Sequence, residues 1–116
     1  MSIADDITNA LTAGAQAGAA AADTAGKNLL GDINSFVVPH LRDIGIQVAA
    51  IIAKRLAKVF TDQTAQALIE SQEDSVQVLV ETMVALAALE AQTIVNAIVD
   101  ALNKAVNDAL GFALMA

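Results

Sequence analysis

The chain is predicted to be all-α, a single domain spanning residues 1–116 that folds as a long helical hairpin or a small up-down helical bundle and associates with further copies. Three observations predict this. Apolar residues recur at steps of three and four along most of the sequence, the pattern of one helix face. No stretch combines strict apolar–polar alternation with flanking turn residues, so no strand is expected. The composition is 56% hydrophobic and 16% charged, too apolar for a disordered chain, and 26 of the 116 residues are alanine, the strongest helix former.

The first helix is expected over residues 3–35. Ser2, three residues before Asp5, offers a cap for the orphan amides at its start. Its apolar stripe runs Ile7, Leu11, Gly14, Gly18, Ala22, Ala25, Leu29, Ile33 and Phe36. In the middle of that stripe Gly14, Gly18, Ala22 and Gly26 recur every four residues, a spacing that lets another backbone approach closely and marks a helix crossing.

Pro39 cannot donate to a preceding turn and pushes Val38 away from helical angles, so a stop or kink is expected there, with a second helix over residues 39–60. Its main stripe is Leu41, Val48, Ile52, Leu56 and Val59, and Lys54, Arg55 and Lys58 fall roughly opposite. Ile44 and Ile51 project onto the charged side, which assigns them to a contact with another subunit.

Thr61-Asp62 supplies the next cap, and no Gly or Pro follows until Gly111, so the third helix is expected to run unbroken over residues 62–112, about 75 Å at 1.5 Å per residue. Between Val78 and Leu89 apolar residues occur all round this helix. Leu79, Leu86 and Leu89 lie off the main stripe of Val76, Val80, Met83 and Ala87 and are expected to meet a second subunit. Further on, Asp100, Lys104 and Asp108, with Asn96, Asn103 and Asn107 alongside, read as a solvent face.

The composition excludes several functions. The net charge of −7 comes from residues 61–116, with eight acids and one base, whereas residues 1–60 balance at five of each. Nucleic acid, which needs a basic stripe, is not an expected partner. There is no cysteine and one histidine, His40, so neither a zinc site nor a Glu-x-x-His dinuclear site can be assembled. Glu70, Glu73 and Asp74 sit among Ser71, Gln72 and Ser75 and read as a solvated patch, with nothing apolar placed to raise a pKa. No enzyme, cofactor, metal or small-molecule substrate is expected.

The start, Met1-Ser2-Ile3-Ala4-Asp5-Asp6, is acidic and unlike a secretory signal, and no uncharged stretch is long and apolar enough for a spanning helix. A cytoplasmic, virion or leaderless exported location follows. The expected role is a non-catalytic structural subunit that self-assembles through apolar helix faces into a ring, tube, filament or virion component. The alternative is an amphipathic protein acting at a membrane or lipid surface, with Lys54, Arg55 and Lys58 facing anionic headgroups.

Overall fold

The described residues form five helices, α1 (Ile3–Ala22), α2 (Leu29–Phe36), α3 (Val38–Leu56), α4 (Asp62–Met83) and α5 (Ala88–Leu110). The computed structural model describes residues 2–23, 26, 28–83 and 86–115, and among these there is no strand. Ser2 starts α1 by accepting the amide of Asp5 at 3.1 Å, and the acids Asp5 and Asp6 stand at the positive end of the helix dipole.

The first helix does not run to residue 35. It ends at Ala22 because Asp23 turns its carboxylate to the far side of the break, where Oδ2 accepts the amide of Leu29 at 3.1 Å and gives an orphan donor at the start of α2 its partner. Gly26 at φ 69° and Asn28 at φ 60° make the left-handed turns that such a reversal requires. Ala25 of the predicted stripe lies outside the described residues.

Between α2 and α3 the axis bends by 54° with only Val37 intervening. Pro39 stands in the first turn of α3, where its missing N–H is no loss. Ile33, Val37 and Leu41, four residues apart, are all fully buried, so the inner face stays continuous across the bend.

α3 closes with a left-handed residue, Lys58, at φ 61°. The amide of Lys58 bonds to the Arg55 carbonyl at 3.0 Å and that of Val59 to the Lys54 carbonyl at 2.8 Å, the paired bonds of a Schellman cap. Thr61 then caps α4, its Oγ1 accepting the amide of Thr64 at 3.2 Å, and Asp62 pairs with Arg55.

The predicted single helix over residues 62–112 is two helices. Residues 86 and 87 are not helical, Ala87 is extended (φ −66°, ψ 152°), and Glu90 Oε1 accepts the Ala87 amide at 2.9 Å to start α5. The physical reason is burial: a straight rod of about 75 Å exposes both its faces, whereas folding back lets α5 lay Ile94, Ile98, Leu102 and Val106 on α1. The molecule measures 47 × 26 × 20 Å, shorter than the rod.

Packing is centred on α5 against α1, with α3 crossing α1 and α4 covering the side between α3 and α5. Ile7 and Leu11 of α1, Val48 and Ile52 of α3 and Ile98 and Leu102 of α5 form the fully buried centre, each large side chain contributing about 1.5–3 kcal/mol. α4 adds little to this core. Among its described side chains only Ala65, Ile69, Val76 and Val80 are buried.

Candidate functional surfaces

Two glycines of the small-residue series lie where helices touch. A Cβ at Gly14 would stand 2.9 Å from both Ala101 Cβ and the Ala97 carbonyl oxygen, and one at Gly18 would stand 2.9 Å from Ala97 Cβ and 3.0 Å from Ile94 Cα. As residue number rises from 14 to 18 on α1 it falls on α5, so the two helices cross antiparallel at backbone contact. Ala22 is buried at the end of α1. Gly26 does not belong to the crossing: it is exposed, has nothing within 4 Å of its missing Cβ, and serves the turn through its positive φ. Sequence reading missed Gly45, where a Cβ would run into Thr8 Oγ1 on α1. A lone glycine in α3 carries no spacing signal, and only the fold sets it opposite Thr8.

The acidic patch on α4 is not wholly solvated. Gln72 and Glu73 interrupt the buried stripe between Ile69 and Val76, and each is half-buried against a polar residue of a neighbouring helix. Gln72 Nε2 donates to Gln47 Oε1 of α3 at 2.8 Å. On the other side Glu73 meets Asn103 of α5, and Glu73 Oε1 and Asn103 Oδ1 are both buried with no hydrogen-bond donor. Burial pushes the Glu73 carboxyl above the usual glutamate range, the neighbouring charges of Glu70 and Asp74 push it the same way, and the Asn103 amide opposes them.

A carboxyl whose pKa is higher in the fold than in the unfolded chain destabilises the fold when ionised. Stability from Glu73 therefore rises as pH falls through its raised pKa and levels off below the ordinary glutamate range. Asp5, held below its ordinary range by hydrogen bonds from Arg42 and Ser2, acts in the opposite sense, its contribution being lost as pH falls through that lowered pKa. Glu73→Gln removes the half-buried charge and supplies an amide donor to the layer, so it is expected to raise stability at pH 7 and to flatten the Glu73 part of the pH profile. Thermal melts at pH 4 to 7 read both effects, and a lower midpoint for the variant at pH 7 would contradict them.

The apolar residues assigned to subunit contact divide. Ile44 and Ile51 are each only 8% exposed and belong to the chain's own core, because α3 is covered on several sides by α1, α2, α4 and α5. Leu79 and Leu86 are half-buried and pack against that core. Leu89 is 79% exposed and Val78 59% exposed. Val78 and Leu79 line a shallow surface depression of about 500 Å³ with Ser71, Asp74, Ser75 and Thr82, all on α4. The Met83 side chain lies outside what the structure describes.

At the α3–α4 turn the basic cluster of Lys54, Arg55 and Lys58 is assembled with aromatic and aliphatic side chains. Arg55 lies over the Phe112 ring at 5.2 Å and Lys54 over Phe60 at 5.4 Å. His40 is exposed in the first turns of α3. No group of three or more His, Asp or Glu among the described residues is placed to hold a metal ion. No single described helix is long and apolar enough to cross a membrane, although α2 and α3 taken together meet that test by length and composition. The chain matches no family model, no curated protein and no solved structure.

Proposed function

We propose that this chain is a non-catalytic structural subunit that joins copies of itself through apolar helix surface into a homo-oligomer such as a ring, tube, filament or virion component. The observation that supports this reading is the outer side of α4 and the start of α5, where Val78 and Leu89 stand mostly in solvent beside the half-buried Leu79 and Leu86. Scattered exposed hydrophobics are ordinary, but here they recur from the end of α4 to the start of α5, on either side of one break.

Val78→Glu with Leu89→Glu places charge on this surface without touching the core. Burying one such side chain at an interface contributes on the order of 1.5–3 kcal/mol, so the pair is expected to move a micromolar assembly to monomer. Native mass measurement reads the change, and helical circular dichroism should stay at its original level. Unchanged mass in an assembled protein would remove this surface from the interface.

A further inference from the structure

Beyond self-assembly, we infer that the α3–α4 turn is a docking end for an anionic lipid surface. Three large apolar side chains are exposed together with the cations there: Val59 is 67% exposed, Leu56 48% and Phe112, brought in from beyond α5 by its contact with Arg55, 39%. Lys54 and Lys58 are exposed and form no ion pair among the described residues, while Arg55 neutralises the nearest acid, Asp62. The turn is therefore a cationic spot on a chain of net charge −7.

The cap geometry points the same way. Lys58 occupies the left-handed position of the Schellman cap, where glycine is the residue of least strain, so a cation stands where helix termination alone favours another choice. In such caps the residue after it commonly packs on the residue three places before the helix cap. Here that residue is Val59 and its counterpart is Lys54, and Val59 stays 67% exposed.

A bilayer surface accepts this combination: short apolar protrusions enter the interface while lysines remain among the headgroup phosphates. A protein partner suits it less well, because three half-exposed side chains offer far less than the roughly 800 Å² per partner buried in stable interfaces. Of the acids near this end, Asp62 is paired with Arg55 and Asp108 with Lys104, so neither stands as an uncompensated negative charge beside the lysines.

The test is sedimentation of the whole chain with vesicles of phosphatidylglycerol and phosphatidylcholine in equal parts, and with phosphatidylcholine alone. Binding is expected to the first and not the second, and to fall at 0.5 M salt. Lys54→Glu with Lys58→Glu should weaken binding at least about twentyfold, given roughly fivefold per cation near an anionic surface. Leu56→Ser with Val59→Ser should weaken it too, and both variants should keep the native mass and helicity of the parent in buffer. Absence of parent binding, or binding unaffected by both variants, overturns the proposal. So does a lower native mass of either variant in buffer, which would make this end an interface between copies. Because the vesicle and mass readouts are separate, loss of lipid binding leaves the self-assembly reading standing.

Discussion

Gly18→Leu is expected to destabilise the fold by about 2–4 kcal/mol, a large share of the roughly 5–15 kcal/mol that holds a domain of this kind together. The substitution sets two effects against each other. Leucine improves local helix propensity by about 1 kcal/mol over glycine. Against this, even the first carbon of the new side chain would meet Ile94 Cα at 3.0 Å and Ala97 Cβ at 2.9 Å, and backbone cannot rotate out of the way as a long side chain can. The helices must part along the most extensive packing in the molecule, which loosens Leu11 against Ile98 and Leu102 as well. Gly14→Leu meets Ala101 and the Ala97 carbonyl in the same way. Ala20→Leu, on the exposed side of α1, adds the same side chain with no such clash and little change in helix propensity, and is the control. Urea unfolding of the three variants gives the comparison, and a rise in stability for either glycine variant would contradict backbone contact at the crossing.

Asn107→Ala is expected to release the segment after α5. Sequence reading placed Asn107 on a solvent face, but its side chain makes three bonds to that segment. Oδ1 accepts the amides of Leu114 and Met115, both at 2.9 Å, and Nδ2 donates to the Met115 carbonyl at 3.0 Å. These bonds hold the buried Met115 side chain against the core after Gly111, at φ 81°, has ended the helix. With each bond worth about 1 kcal/mol, their removal takes away about 3 kcal/mol of what keeps the segment closed, so it opens locally more often. The global effect is smaller, about 1–2 kcal/mol, because α5 up to Leu110 keeps its own packing on α1. Hydrogen exchange at the Leu114 and Met115 amides should accelerate while α5 stays protected. Unchanged exchange at both amides would show that apolar packing of Met115 alone holds the segment.

What was legible in the sequence was local. Ser2, Pro39 and Thr61 act through their own or adjacent backbone, so a helix start or bend could be placed from them directly. The breaks after Ala22 and Met83 could not, because the 3.6-residue period passes through both and neither holds a proline. They are secured by carboxylates, Asp23 reaching forward across the first break to Leu29 and Glu90 reaching back to the N-cap Ala87 after the second, bonds that periodicity does not encode. Gly14 and Gly18 were legible as a spacing, whereas Gly45 gains meaning only opposite Thr8. Likewise Glu73 and Asn103 are far apart in sequence, and each alone reads as an exposed polar residue. Ile44 and Ile51 misled for the opposite reason: a helix projected alone shows one buried side, but α3 is enclosed by several neighbours.

The proposed self-assembly rests on the outer side of α4. α4 covers the bundle on one side with few buried residues and leaves Val78 mostly exposed beside the half-buried Leu79, and Leu89 follows, exposed, at the start of α5. The most direct test is the native mass of the unaltered chain in buffer without lipid, measured from low to high micromolar concentration. A mass of two or more copies that falls on dilution, and that Val78→Glu with Leu89→Glu reduces to that of a single chain of about 11.9 kDa, is the predicted result. A mass of 11.9 kDa for the unaltered chain across the whole range would contradict the structural-subunit reading.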